Sequence, residues 1–278
     1  MKNLVVIILT LDEEANLGKA IDSVGGRAPV VVVDSGSTDA TLDIAKAREV
    51  ELYENAFVDY AHQRNFALDQ VRDRFEWTFF LDADEEITPA LWRDIEAAVE
   101  RDDLDGAYVG LTFHVLGREL KHGSFARAAI LRLMRTKMAR FARGTNERVD
   151  DSEMRVAVLP SKLKHADAKP LSSWFRKHVR YAEREANHYL EDQASRQGLE
   201  GFTWRTKAGR TIGARWAYNK LPLFVRPWVH YGRTIVWQSA WRDGIPGVLY
   251  AGMQSLWYPM VIDLLIFEEQ RRRRNNGR

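Results

Sequence analysis

Four acids in five positions, Asp82, Asp84, Glu85 and Glu86, close the segment Trp77 to Glu86, WTFFLDADEE. Asp82 and Asp84, two residues apart, can both turn toward one hard cation, with water and ligand phosphate oxygens completing its shell. The alternative is a solvated acidic turn ahead of a helix opened by Pro89, because acids also suit a first helical turn. Asp34 follows the apolar run Val30 to Val33 and precedes Ser35, Gly36, Ser37, Thr38 and Asp39. A carboxylate there can accept from an imide N–H or a ribose hydroxyl, and Gly36 allows close backbone approach; a plain turn former is the other reading. Thr10 to Gly18 carries acids where a dinucleotide pyrophosphate would need amide donors, and a three-glycine fingerprint is missing. A nicotinamide or flavin enzyme is disfavoured. A nucleoside diphosphate fits better, its charge met by a metal on Asp82 and Asp84 and by Arg64.

The elements that position these residues alternate between strand and helix. Leu4 to Leu9, Val30 to Val33, Val50 to Tyr53 and Trp77 to Leu81 read as short buried strands. Helices over about Ala15 to Val24, Ala40 to Arg48 and Ala61 to Arg72 connect them, the second capped by Ser37 or Thr38. This alternation predicts an α/β fold with a doubly wound parallel sheet. Three strand ends, at Thr10, Asp34 and Asp82, then share one edge. That is where ligands bind in open sheets. A helix from Leu91 to Glu100 follows, then strands over Gly106 to Val115, Ala129 to Met134 and Arg155 to Leu159, and a helix over Ser172 to Leu190.

The chain of 278 residues suffices for a large domain with an appendage. The absence of cysteine excludes disulfides, thiolate metal sites and cysteine nucleophiles. A net charge of +2 gives no general reason to expect a nucleic acid partner. Met1, Lys2 and Asn3 lead directly into a strand-length run and not a signal peptide, so a cytoplasmic location is expected. Six tryptophans lie beyond Gly201: Trp204, Trp216, Trp228, Trp237, Trp241 and Trp257. A boundary near Gln197 to Gly201 accordingly separates a domain of residues 1–197 from an aromatic-rich helical extension, 198–278. Gln254, Pro259 and Asp263 interrupt Val248 to Phe267, which disfavours a membrane span. A helix pair lying in the interface of the inner face of the cytoplasmic membrane, with Arg271 to Arg274 on anionic lipid, is the expectation. An ordinary helical subdomain or a homo-oligomer contact is the alternative.

The ordered set LTLDEE, VVVDSGSTDAT, AHQRNFAL and FFLDADEE over the first 90 residues resembles the family 2 inverting glycosyltransferases of the GT-A fold. Within that family it is most similar to the branch of bacterial lipopolysaccharide-core glucosyltransferases, with LRLMR, GTNERV, LKHAD, RKHVRYAEREA and WRDGIPG adding weaker matches. The resemblance implies a Rossmann-like GT-A sheet, a uridine-based nucleotide-sugar (UDP-sugar) donor, and Mg²⁺ or Mn²⁺. It implies that Thr10, Glu13 and Asp34 bind base and ribose, and that Arg64 contacts base or diphosphate. Asp82 would lie near ribose and sugar, and Asp84 would ligate the metal. Arg132 would approach the sugar or an acceptor phosphate, and His165 would be a further metal ligand or diphosphate contact. Inverting transfer needs a base for the acceptor hydroxyl; the resemblance implies Glu147 for it, with Asn146 where relatives carry histidine and Glu85 and Glu86 as substitutes, the alternative being an exposed acid that pairs Arg143 or Arg148. The implied acceptor is a lipid-linked or lipopolysaccharide glycan. A nucleotidyltransferase would need a basic glycine-rich loop in place of Thr10 to Gly18, and a nucleotide-binding scaffold without catalysis is the remaining rival.

Overall fold

Runs of β-branched and aromatic residues form the centre of a nine-stranded sheet in the computed structural model, which describes residues 3–123, 129–142, 148–149, 151–195, 213 and 218–276. In chain order the first strands and helices are β1 Leu4–Thr10, α1 Leu17–Val24, β2 Val30–Asp34, α2 Thr41–Ala47, β3 Glu51–Glu54, α3 Tyr60–Val71 and β4 Trp77–Asp82. Next come β5 Glu85–Glu86, α4 Pro89–Val99, β6 Gly106–Val115, β7 Arg118–Leu120, β8 Ala129–Arg135, β9 Phe141–Ala142, β10 Arg148–Val149 and β11 Val156–His165. The sheet runs β3-β2-β1-β4-β8-β6-β11-β5, with β7 on β6, and β9 and β10 form a separate ribbon.

The two faces of β1 and β4 are both buried, as their continuous apolar runs require. Val6, Ile8, Phe79 and Leu81 pack with Leu17, Ile21, Leu91, Trp92 and Ile95 of α1 and α4. Val5, Ile7 and Phe80 face Ala67, Leu68 and Val71 of α3. Thr88 caps α4 by accepting from Leu91 N at 3.1 Å, with Pro89 in its first turn. Helix α2 differs from expectation: Ala40 occupies its N-cap without a side-chain cap, because the Ser37 hydroxyl is committed to Asp34.

The sheet is mixed, not wholly parallel. Strands β3, β2, β1 and β4 are mutually parallel, whereas β8 is antiparallel to both β4 and β6. The β6–β8 connection contains the hairpin partner β7 and no described helix, and a parallel return would need a crossover. Strand β11 runs on to His165, past the expected end at Leu159. A register shift between Val158 and Lys162 accommodates Pro160.

The chain divides into two compact units: Met1–Lys121 with Phe125–Lys169, and His122–Ser124 with Pro170–Arg278. The boundary expected near Gln197 lies outside the described residues; compactness divides the chain earlier, at 169/170. The reason is the helix α5, Leu171–Ser195, whose Ala186 and Leu190 pack on Ile266 in the second unit. This unit also contains α6 Arg226–Gly232, a π turn Arg233–Trp237, a 3-10 turn Ala240–Asp243, α7 Gly244–Ala251, a second π turn Gly252–Trp257 and α8 Tyr258–Asn276. Residues 244–276 therefore make one helical run, where sequence suggested a pair. Asp263, which interrupts the apolar stretch, is buried and accepts from Arg226 Nε at 2.6 Å and Phe224 N at 2.7 Å. Among the described residues no helix is long and apolar enough to cross a membrane.

Candidate active site

Parallel registers bring the expected strand ends to one edge. Thr10 pairs with Asp34 and Leu9 with Asp82. The edge is stiffened where β1 and β2 end, since Ser35 N donates to Thr10 O at 2.9 Å. Asp34 is fully buried and accepts four hydrogen bonds, from Thr10 Oγ1 at 2.8 Å, Gly36 N at 2.8 Å, Ser37 N at 2.7 Å and Ser37 Oγ at 2.5 Å. Its carboxylate thus fixes the turn in this conformation, and Gly36 takes the positive φ of 95° that the turn demands. The loop after β1 is clasped to this turn: Asp12 N donates to Ser37 Oγ at 2.8 Å, Thr38 N to Asp12 Oδ1 at 2.8 Å, and Glu13 N to Thr41 Oγ1 at 2.7 Å.

Glu13 does not act as a helix cap. Its Oε2 accepts from Asn16 Nδ2 at 2.9 Å, and Lys169 Nζ lies 2.6 Å from its Oε1. Burial raises its pKa and the charge of Asp84 adds to this, while Lys169 and Asn16 oppose. Asn16 also donates to Asp167 Oδ1 at 2.8 Å and accepts from Ala168 N at 2.8 Å, which ties the loop after β1 to the segment leaving β11. Neither Asn16 nor Lys169 was visible from sequence, since no local spacing links them.

The acids after β4 split into separate environments. Asp82, whose side chain is 44% exposed, receives Arg132 Nη1 at 3.0 Å and Nη2 at 2.6 Å, with Arg64 Nη2 3.7 Å from Oδ1. Partial desolvation disfavours its charged form, but the Arg132 charge and hydrogen bonds, reinforced by Arg64, hold its carboxyl well below the usual range. Glu85 is 1% exposed and accepts from Arg132 Nη2 at 2.7 Å and from Asp82 N at 3.0 Å. Burial, together with the charges of Asp82 and Asp84, pushes its pKa up against the pull of Arg132. Arg132 itself is 1% exposed. Its guanidinium therefore lies enclosed between two acids, where sequence had put it against sugar or acceptor phosphate. The signal was present in LRLM, a cation at a strand position flanked by apolar residues, which requires a buried partner.

Asp84 Oδ1 stands 3.4 Å from His165 Nδ1. Strand register explains the meeting, because His165 of β11 pairs with Glu85 of β5. Burial alone would lower the His165 pKa, yet the hydrogen bond and charge of Asp84, with Glu85 and Asp82 behind it, raise it. The imidazole packs on Phe113, centroids 4.8 Å apart. Glu86 departs toward Lys164 Nζ, 2.8 Å away. Arg64 lies over the rings of Phe80 and Phe141, 5.2 Å from each centroid. Glu147 lies outside the described residues. The burial of Glu85 and the ion pair of Glu86 leave neither of these substitutes free for an acceptor hydroxyl.

A carboxylate oxygen and an imidazole nitrogen this close suit a divalent cation as two ligands of its shell. Among the described residues no group of three His, Cys, Asp or Glu side chains converges on a metal position, so ligand oxygens would complete the shell.

An α/β sheet with polar strand ends at one edge and a helical C-terminal region is the GT-A arrangement. Residues 5–157 match the sequence profile described as Glycosyl transferase family 2, and the chain belongs to that family. The chain is 33% identical over 141 residues to the "Lipopolysaccharide core biosynthesis glycosyltransferase LpsC" of Rhizobium meliloti (strain 1021), covering 48% of this chain and 51% of that one. It is 31% identical over 156 residues to an uncharacterized glycosyltransferase of Rickettsia typhi, covering 55% of this chain and 53% of the relative. The chain thus spans about half the length of the curated relatives it matches. Among solved structures it resembles glucosyl-3-phosphoglycerate synthase from Mycobacterium tuberculosis in complex with Mn²⁺, UDP and glucosyl-3-phosphoglycerate, with a TM-score of 0.47, 15% identity, and coverage of 62% of this chain and 75% of that chain.

Proposed function

We propose that this protein transfers a glycosyl group from a nucleotide-sugar donor, uridine-based, to a lipid-linked or lipopolysaccharide glycan, with inversion at the anomeric carbon. The observation that carries the reading is the approach of Asp84 to His165 beside an Asp82 fixed by Arg132 and Arg64 at the ligand-binding edge of the sheet. Family membership and the lipopolysaccharide-core relative support the donor and acceptor classes.

Asp84 and His165 would hold Mg²⁺ or Mn²⁺, which when bound supplies charge neutralisation for a leaving diphosphate. Thr10, Asp34 and the clasped loop with Glu13 shape the base and ribose pocket, and Arg64 faces base or diphosphate. Asp82, anchored by two guanidinium bonds, orients the ribose and sugar. Glu147 accepts the acceptor hydroxyl proton as the acceptor oxygen bonds to the anomeric carbon. The bond from that carbon to the diphosphate oxygen breaks, and the nucleoside diphosphate departs with its electron pair. The acceptor class and the tryptophans of the second unit support a peripheral position on the inner face of the cytoplasmic membrane.

Calorimetric titration with UDP, GDP, CDP and ADP, each with and without Mn²⁺, tests the pocket. UDP preference that needs Mn²⁺ and is lost in Asp84→Ala is the expected result. Binding indifferent to both the metal and Asp84→Ala would overturn the site. Transfer that persists unchanged in Glu147→Gln would remove Glu147 from its role, and nucleotide binding without any transfer would favour the scaffold reading.

A further inference from the structure

The second unit exposes large apolar side chains at a density that the first does not. Over residues 228–249, Trp228, Val236, Trp237, Trp241, Ile245 and Leu249 all lie open to solvent, with Trp237 86% and Ile245 75% exposed. Their elements are consecutive and pack in turn on one another: α6 on the first π turn, that turn on Ala240–Asp243, and this on α7. The inward side of the same stretch is well made. Thr234 and Ser255 share a buried hydroxyl–hydroxyl bond of 3.0 Å, and Gly247 and Ala251 are buried one helical turn apart on α7. The exposed residues are therefore the outward face of an ordered structure, and such apolar patches mark interaction sites.

Charge selects the partner. Across residues 218–262 the only acid is Asp243. It is buried and fully engaged by the second unit's own short segment, accepting from His122 N at 2.8 Å and standing 2.7 Å from His122 Nδ1. The cation Arg226 is likewise withdrawn, on Asp263. What remains exposed is Arg233, three residues before the exposed Val236, Arg242, next to the exposed Trp241, and Lys220. A stretch rich in exposed indole, carrying exposed cations and no exposed acid among residues 218–262, matches an anionic lipid headgroup layer in both its apolar and charged parts.

We propose that residues 228–249 form the membrane-docking face of this protein, with Trp237, Trp241 and Ile245 entering the headgroup–acyl boundary of an anionic bilayer while Arg233 and Arg242 meet lipid phosphates. This deepens the membrane-association reading above by assigning it a surface; it does not depend on the chemistry at Asp84. It also moves the contact away from the arginines of Arg271 to Arg274, where Arg272 and Arg273 already pair with Glu269.

The experiment is flotation of the full-length protein with vesicles of phosphatidylglycerol and phosphatidylcholine, against phosphatidylcholine alone. Co-flotation with the anionic vesicles is expected. A double Trp237→Glu, Ile245→Glu variant should lose at least tenfold in partitioning. Arg233→Gln with Arg242→Gln should lose about fivefold per cation, roughly twenty-five-fold together. A blue shift of indole emission when vesicles meet the wild type checks insertion without any variant. UDP titration on the same samples reports separately on the first unit, so loss of lipid binding with intact nucleotide affinity cannot be mistaken for failure of the donor site. A wild type that stays out of the vesicle fraction, or variants that float as well as wild type, overturns the proposal. A concentration-dependent dimer that Trp237→Glu dissociates, without lipid binding, assigns the face to a second copy instead and equally overturns it.

Discussion

Replacing Arg132 by methionine separates the two acids it serves, and the structure sets unequal costs on them. The guanidinium gives two bonds to Asp82 and one to Glu85. Glu85 is 1% exposed, so without Arg132 it is an enclosed acid whose only remaining described donor is Asp82 N. Breaking a buried pair from one side costs about 3–5 kcal/mol. Asp82 is 44% exposed and can rehydrate, so its share is under about 1 kcal/mol. Arg132→Met should therefore destabilise by about 3–5 kcal/mol in urea unfolding. Adding Glu85→Gln, which keeps an acceptor for Asp82 N but removes the enclosed charge, should recover about 2 kcal/mol or more. Adding Asp82→Asn should recover less than about 1 kcal/mol. Nucleotide titration supplies the second readout: with Glu85→Gln added, Asp82 still lacks both Arg132 bonds and keeps Arg64 at 3.7 Å, so Mn²⁺-dependent UDP affinity should stay at least about tenfold down even as stability returns. Equal rescue by the two acid substitutions would refute the burial argument. Recovery of nucleotide affinity along with stability would reduce Arg132 to a structural residue with no positioning role.

Three further outcomes follow from other contacts. Thr10→Val removes one of the four donors to the buried Asp34 carboxylate and should cost about 2 kcal/mol in thermal or urea unfolding, with a smaller effect ruling out a fully satisfied Asp34. Asp105 is held down to about 2 by side-chain and backbone bonds from Arg155, so its contribution is present above the ordinary carboxylate value and is lost as pH falls through about 2. Discounted for the exposure of Arg155, Asp105→Asn should cost about 1–2 kcal/mol at neutral pH, and the gap from wild type should close between about pH 4 and 2; a gap that widens on acidification would contradict this sign. Gly247→Ala would drive a Cβ against Ala240 O and within 2.6 Å of Asp243 Cβ, and because the first is backbone the second unit should lose about 2–3 kcal/mol, seen as an earlier unfolding phase.

Apolar runs closed by polar residues made β1, β2 and β4 readable, because a strand buried on both faces has no other pattern, and its polar end can only emerge at an edge. Direction is a different matter. Ala129–Arg135 reads as a strand in either orientation, and what turns it antiparallel is the hairpin β6–β7 before it, whose pairing no local periodicity states. Pro160 is a good reason to stop a strand, and the register shift that lets β11 continue belongs to its pairing with β6. That continuation matters for chemistry, since it delivers His165 opposite Glu85. His165 and Asp84, 81 positions apart in the chain, meet through this register alone.

The same distinction separates the acids of the site from the group that holds them. A carboxylate at a strand end draws notice because something must satisfy it, and Asp34, Asp82 and Asp84 stand out in the sequence on that ground, although Thr10 and its own turn satisfy Asp34 and Arg132 satisfies Asp82. Arg132 sits inside an apolar strand, and there a cation can be read only through its partners. The partners are Asp82 and Glu85, supplied by the segment that first suggested a metal-binding cluster. One enclosed guanidinium between Asp82 and Glu85 offsets part of their mutual repulsion, while Asp84 turns instead to His165. A cluster of like charges thus resolves into two acids held by one guanidinium and a third that faces an imidazole, an arrangement that spacing along WTFFLDADEE could raise as a question but only the pairing of β4 with β8 and of β5 with β11 could answer.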